Sequence, residues 1–436
     1  MSADESDGAG TRTTGEADPD EAYDPLWHLA HVGLFDIEGT GGAGGCVPAG
    51  GADGAPPVTV ALVDTGCDAA HPDLRGAVVE ERDFSPFDRG AVYRNALPHE
   101  PTSGEAVSAA LDRLGVDRTR WEDGTRERLD ALLEGLGDGR DIHPPYPFPD
   151  PARRHGSHGT ACAGLIAAHA SAPEGAGRGA RGVLPGCRIV SLAAPFGFAV
   201  RPLVHAILHA VARDVDAILL PRGLDDALPR GARSPGEVLD GTAALPDERH
   251  ARATRVTGDP ERLRDLLLLD ALMASVSARL PFVVAAGNGS RALPEYPARL
   301  HGPDEEPARG NLIVVGAHGH DGRRTDYTSG RVSGVTLFAP GDDGRRTIHA
   351  LDTVHRGGYQ AFGGTSAASA IVAGSVAALQ RRYKVLSGTG GRLAGTAVAR
   401  LLHDSAVETE AGAGRLDLRR ATAALEAGHR DLDAIA

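Results

Sequence analysis

Four residues able to do acid–base, nucleophilic or oxyanion-binding work stand at the edges of apolar runs. Asp64 closes the run 58–64 and is followed by Thr-Gly, and His158 opens His-Gly-Thr-Ala-Cys-Ala-Gly (158–164). Asn288 closes Pro-Phe-Val-Val-Ala-Ala-Gly-Asn (281–288), and Ser366 lies in Gly-Gly-Thr-Ser-Ala-Ala-Ser (363–369). A serine hydroxyl is a weak nucleophile near neutral pH and needs a base beside it. An imidazole that titrates near pH ~6.5 can be that base, and a carboxylate can fix its tautomer and stabilise the imidazolium. The Asn288 amide and the Ser366 backbone N–H can donate to an oxyanion. A serine in the first turn of a helix also meets unpaired N–H groups and the positive end of the helix dipole. Taken alone, the Gly-Thr-Ser of Ser366 could equally be an ordinary cap before an Ala-rich helix.

These groups need elements that bring them together. The continuous apolar runs before Asp64 and Asn288 fit parallel β-strands covered on both faces. His158 and Ser366 each sit where a loop turns into a small-residue helix. In an open parallel sheet the C-terminal strand ends share one rim, where ligands bind. The expected fold is α/β and three-layered, with a mostly parallel central sheet and helices on both faces.

The residues then resemble a known family, the subtilases. The resemblance rests on Asp-Thr-Gly-x-Asp-x-x-His-Pro-Asp-Leu (64–74), His-Gly-Thr-x-x-Ala-Gly (158–164), Ala-Ala-Gly-Asn (285–288) and Gly-Thr-Ser-x-Ala-Ser (364–369). Weaker matches include Tyr-Pro-Ala (296–298), Phe-Ala-Pro-Gly (338–341) and the segment around Trp27 and Leu29. It implies a serine endopeptidase with catalytic Asp64, His158 and Ser366 and an oxyanion hole at Asn288. It also implies that Ile-Leu-Leu-Pro-Arg-Gly (218–223) is the substrate-aligning strand. Pro221, Arg222, Gly223, Ala286 and Gly287 are then substrate-binding positions. Pro221 lacks an N–H but keeps the carbonyl that pairs with substrate, and Arg222 puts a cation where the family often has an apolar subsite wall. Glu295, just before Tyr-Pro-Ala, falls at the base of the primary specificity pocket. A carboxylate there needs a partner, and a substrate Arg or Lys before the cut would supply it. Glu295 could instead turn outward, or pair with Arg291 or Arg299.

Two other readings start from the same residues. Asp-Thr-Gly also occurs in aspartic peptidases, which need two carboxylates sharing a proton; the other Asp-Thr, at 352–353, continues into Val-His. A catalytically silent module holding a peptide in the same cleft is the alternative from a different functional class. Labelling of Ser366 by a fluorophosphonate separates it from an enzyme.

Composition bounds the rest. The chain has 436 residues and a net charge of −14, which argues against a nucleic-acid surface. No apolar run is long enough to span a bilayer. Residues 1–22 are acidic and Gly/Thr-rich, which reads as a disordered tail rather than a secretory signal. The expectation is a cytoplasmic enzyme made without a folding propeptide, with a peptidase domain over 23–425 and a C-terminal tail at 426–436. Its expected partner is a peptide or protein substrate, such as a cognate precursor, or a regulatory protein; oligomeric state is open. Cys46, Cys67, Cys162 and Cys187 show no metal-binding spacing and are expected as free thiols. By the resemblance, Cys162 packs under the histidine. The interval 88–153 reads as an insert with helices at 106–114 and 125–136, either surface decoration or a restriction on access; 225–260 reads as a smaller mobile insert. His155 reads as a surface loop residue. No cofactor or metal is expected. Asp73 matches a ligand of the family's structural calcium, but the loop 169–182 offers Glu174 as its only carboxylate, too few oxygens for that ion.

Overall fold

Alternate side chains of the run 58–64 point to opposite faces of a sheet. The structure, a computed structural model, describes residues 26–35, 56–84, 102–136, 156–169, 180–194, 200–224, 239, 259–298, 311–331, 333–353, 358–409, 413–432 and 434–435. Its strands are β1 (Thr59–Asp64), β2 (Val78–Asp83), β3 (Arg188–Ala193), β4 (Ala217–Leu220), β5 (Phe282–Ala285), β6 (Ile313–His318), β7 (Leu337–Pro340), β8 (Ile348–Leu351), β9 (Tyr359–Phe362), β10 (Arg392–Leu393) and β11 (Ala434–Ile435). Its helices are α1 (Trp27–His31), α2 (Gly104–Arg113), α3 (Asp123–Gly135), α4 (Gly156–Ala167), α5 (Arg201–Ala212), α6 (Pro260–Arg279), α7 (Gly364–Ser387), α8 (Gly395–Ser405) and α9 (Leu418–Gly428).

Seven strands form one sheet in the order β2-β3-β1-β4-β5-β6-β7, and each adjacent pair is parallel. The expected α/β sheet is therefore present. The pairs β8-β9 and β10-β11 are antiparallel and lie outside it. The chain passes from β1 to the edge at β2, returns through β3, and crosses to β4 on the other side of β1. Above such a reversal the loops diverge and leave a crevice.

Val60 and Leu62 of β1 pack with α1, α4, α7, α8 and α9, while Ala61 and Val63 pack with α2, α3, α5 and α6. Helix α7 is the axis of the first layer, buried at every residue from Thr365 to Arg381. Among the described residues, no helix is long and apolar enough to cross a membrane.

The insert has a role that neither sequence reading gave it. Its helices α2 and α3 form close to their expected spans; α2 starts at Gly104 because the Ser103 hydroxyl caps Ala106 N–H. Val107, Leu111, Trp121 and Leu129 from this segment join the core of α5 and α6. Trp121 Nε1 donates to Ser275 Oγ at 2.9 Å, and Arg128 bridges Glu261 and Asp265. The middle of the insert is thus part of a helical layer, not decoration on it. The C-terminal tail is also corrected: α9 runs to Gly428, and Ala434 and Ile435 return to pair with β10. The segment 1–22, the ends of the insert, most of 225–260, the loop 170–179, Cys46 and His155 lie outside the described residues.

Candidate active site

Asp64 is the last residue of β1 and is fully buried. The backbone N–H of Thr65 donates to its Oδ1 at 2.7 Å. His158 Nδ1 lies 2.9 and 2.8 Å from the two carboxylate oxygens. An ionised carboxylate only accepts, so Nδ1 carries the proton and Nε2 is the basic nitrogen. The approach depends on one glycine. A Cβ on Gly159 would lie 1.9 Å from the Gly66 carbonyl oxygen, so only glycine lets α4 press its first turn against the Asp-Thr-Gly loop. Gly159 N–H then donates to Thr65 Oγ1 at 3.2 Å.

Burial works against a charged imidazole, but the Asp64 charge and its hydrogen bond outweigh burial. His158 is therefore held above its ordinary value, with the Arg222 cation opposing.

Ser366 sits in the first turn of α7, buried, and its hydroxyl donates to the Pro221 carbonyl at 2.8 Å. The turn ahead of it needs Gly364, whose φ of 73° lies in the left-handed region. Gly364 N–H donates to Asp342 Oδ2 at 2.8 Å. Thr365 aims the oxyanion donor. Its N–H and its hydroxyl both donate to Asn288 Oδ1 at 3.0 Å, and the hydroxyl accepts from Gly287 N–H at 3.1 Å. With the amide oxygen so engaged, Asn288 Nδ2 is the end presented beside Gly364; a Cβ on Gly364 would lie 3.0 Å from it.

Glu295 points inward. Cβ atoms on Gly223 and Gly287 would lie 2.8 and 2.5 Å from its Oε2. Its Oε1 accepts from Gly289 N–H at 2.9 Å, and its backbone N–H donates to the Ala286 carbonyl at 2.8 Å. Gly223 and Gly287, one from each segment expected to line the cleft, thus flank this carboxylate. Arg222 is buried, at 6% exposure. Burial pushes its guanidinium down to about 10, with Asp64 opposing.

The model described as the subtilase family matches residues 56–421. The chain belongs to this family. It is a serine endopeptidase by that membership. Among solved structures, the PatG macrocyclase in complex with peptide aligns at 18% identity and a TM-score of 0.50, over 90% of this chain and 95% of that one. The nisin leader peptidase NisP from Lactococcus lactis aligns at 14% identity and a TM-score of 0.50, over 92% and 94%. The protease domain of PatA, solved as a point mutant, aligns at 19% identity and a TM-score of 0.49, over 86% and 98%. Likeness at these identities speaks to the fold. Comparison with curated proteins gives no match.

Within this subtilase the aspartic-peptidase reading fails on geometry. Asp64 is bonded to an imidazole, and Asp352 accepts from Ser157 at 2.5 Å. Cys67, Cys162 and Cys187 are free and buried. Burial first, then the Asp64 charge, pushes the Cys162 thiol well up, so it stays protonated 4.0 Å from His158 Nδ1. Among the described residues, Asp64, His158 and Cys162 are the one group whose ligand atoms converge, within 4.8 Å. A metal held there would compete with the Asp64–His158 hydrogen bond. Asp73 receives the Tyr359 hydroxyl at 2.8 Å. Asp342 and Thr365 are site residues beyond those expected from the sequence. Asp342 directly follows the Phe-Ala-Pro-Gly match, but nothing local in sequence points it at the nucleophile turn.

Proposed function

We propose that this subtilase cleaves a peptide precursor after arginine or lysine, through Ser366, His158 and Asp64, with Asn288 and the Ser366 N–H holding the oxyanion. The observation that carries the specificity is the Glu295 carboxylate wedged between Gly223 and Gly287. Two backbone walls and a carboxylate floor suit a long side chain with a cationic tip. A guanidinium can take such a carboxylate in a bidentate, charge-assisted pair.

The chemistry follows from the hydrogen bonds. Before substrate binds, the Ser366 hydroxyl is held by the Pro221 carbonyl. A substrate backbone N–H arriving at that carbonyl displaces the hydroxyl toward His158 Nε2. His158 takes the proton as Ser366 Oγ attacks the scissile carbonyl, and Asp64 stabilises the imidazolium. The developing oxyanion turns toward Asn288 Nδ2, already oriented by Thr365, so little reorganisation is needed in the transition state. His158 then protonates the leaving amine, and water completes the cycle. No metal or cofactor is required by these steps. The proteins that share the fold include a peptide macrocyclase and a leader peptidase, which supports a precursor peptide as substrate. The buried free thiols support a reducing, cytoplasmic setting.

A fluorogenic peptide library varied only at the residue before the cut tests this reading. Arg and Lys peptides should be cleaved best. Glu295→Gln should lower kcat/KM for them about 10²-fold or more while sparing peptides with Leu, in line with the loss of a buried charge pair. Ser366→Ala should remove about 10⁶ in turnover. A preference for Leu or Phe that ignores residue 295 would refute the specificity, and activity retained by Ser366→Ala would refute the mechanism.

A further inference from the structure

His158 is the third residue of α4. The first turn of a helix is its least constrained part, because its N–H groups have no partners within the helix. A general base must nevertheless hold its place to within a fraction of an ångström. Asp64 fixes the ring at Nδ1; the backbone beneath the ring needs a separate support.

That support is the β8–β9 hairpin. The Ser157 hydroxyl donates to Asp352 Oδ1 at 2.5 Å, and Asp352 is buried. Gln360 Nε2 donates to Ser157 Oγ at 2.8 Å and to the Leu351 carbonyl at 2.9 Å. Ser157 Oγ therefore accepts from β9 and donates to the residue after β8, which uses both of its hydrogen-bonding roles. Asp352 is held in turn. Its N–H donates to the Gly358 carbonyl at 2.7 Å, and its Oδ1 also accepts Thr353 N–H at 2.8 Å. Phe362, at the end of β9, meets the His158 ring edge-on, with centroids 5.4 Å apart at 74°. The hairpin is itself pinned to the loop that follows Asp64. His71 Nδ1 accepts Asp73 N–H at 3.1 Å, which leaves Nε2 as the donor to the Gly358 carbonyl at 2.9 Å. Tyr359 donates its hydroxyl to Asp73.

We infer that Asp352 is a positioning residue for the general base, acting through Ser157 and Gln360, and that the hairpin ties His158 to the segment that carries Asp64. The inference rests on the peptidase mechanism proposed above. It explains why a carboxylate is buried outside every motif that does chemistry: the chain spends it on the residue next to the catalytic histidine. Asp352 acts through Ser157, whose hydroxyl it accepts. Its loss should slow proton transfer while leaving substrate binding alone.

Three variants of the full chain, Asp352→Asn, Ser157→Ala and Gln360→Met, are assayed with one cleavable peptide across pH. Wild type and Ser366→Ala run alongside, so that absence of wild-type peptidase activity is recognised as failure of the mechanism and not of the clamp. Misplacing a catalytic group by about 1 Å can cost about 10²-fold. Ser157→Ala and Asp352→Asn should each lower kcat by about 10- to 100-fold with KM little changed. The double variant should be no worse than the poorer single, since both break one linkage. The acid limb of kcat/KM should move to lower pH, because a looser ring draws less support from Asp64. A downfield NMR resonance from the His158 Nδ1 proton should broaden or shift. Ser157→Ala leaves the hairpin interior untouched, so it keeps the test valid if Asp352→Asn fails to fold. Wild-type kcat and pH profile in Ser157→Ala and Gln360→Met would overturn the proposal. So would additive losses that track melting temperature alone.

Discussion

At the scale of single residues, the Asp64–His158 pair would set the pH at which this enzyme works, and Arg222 is the residue that sets it in an unexpected way. The Asp64 charge lifts His158 above its ordinary value, and the buried Arg222 cation pulls the other way. His158 must be neutral to accept the Ser366 proton, so activity rises with pH through the His158 pKa. With Arg222 in place that rise comes earlier than Asp64 alone would allow. Arg222→Leu removes the cation, favours the imidazolium and should move the acid limb of kcat/KM to higher pH. The measurement is kcat/KM against pH for a peptide with no titratable side chain near the cut. An acid limb that stays put, or moves to lower pH, would count against this role.

At the scale of elements, what could be read from the sequence and what could not divide along physical lines. Strands β1 and β5 were legible because both faces of a parallel strand are buried, so the apolar run is continuous and ends where the chain reaches the rim. The turns at Gly159 and Gly364 were legible because close approach and a left-handed φ demand glycine beside the reactive residue. The convergence of Glu295 on Gly223 and Gly287 followed from alignment with Tyr-Pro-Ala. Asp342, Asp352 and Gln360 were not legible, since each acts on a residue far away in sequence and carries no local pattern. The insert was half legible. Its helical period showed α2 and α3, but amphipathic spacing does not say what the apolar face packs against. Here it packs on α5 and α6. Deleting about 100–145 would therefore uncover Leu203, Leu266 and their neighbours, which are buried in that same cluster. The expected outcome is insoluble or molten protein, not a more open cleft. Near-UV circular dichroism and dye binding of the deletion protein check it. A folded deletion protein that cuts unfolded proteins faster than small peptides would restore a gating role.

At the scale of the whole molecule, helix α1 should make the fold sensitive to acid. Helix α1 docks Trp27 and Leu29 into the core below β6 and β8, with Trp27 Nε1 donating to the Thr347 carbonyl at 3.1 Å. It brings two histidines with it. His28 is fully buried, and its ring nitrogens have no hydrogen-bond partner among the described residues. Burial first, then His349 and His31, push it down to about 3. His318, at the end of β6, is pushed down to about 4 by burial first, with its hydrogen bond to the Gly319 carbonyl opposing, His31 and Arg415 adding to the effect and Asp321 opposing it. His31, stacked on His318 with centroids 5.9 Å apart, is lowered by burial and by His320 and Arg415. Each of these groups is neutral when folded and protonates near pH ~6.5 when unfolded. Their contribution is therefore complete above pH ~6.5 and is lost as pH falls from there toward the folded values. Each of the two most buried histidines forfeits up to about 1.4 kcal/mol per pH unit in that window. Between pH ~6.5 and ~5 the pair costs on the order of 3 kcal/mol, a large share of the roughly 5–15 kcal/mol typical of a folded domain. His28→Leu replaces a buried polar ring by an apolar side chain of similar size. It should unfold at higher denaturant than wild type at pH 7.5, and its advantage should widen by up to about 1.4 kcal/mol per unit once the pH falls below ~6.5. Denaturant unfolding of both proteins at pH 7.5 and 5 gives that difference directly. A His28→Leu protein with the wild-type slope against pH would show that His28 already finds a partner for its proton in the fold.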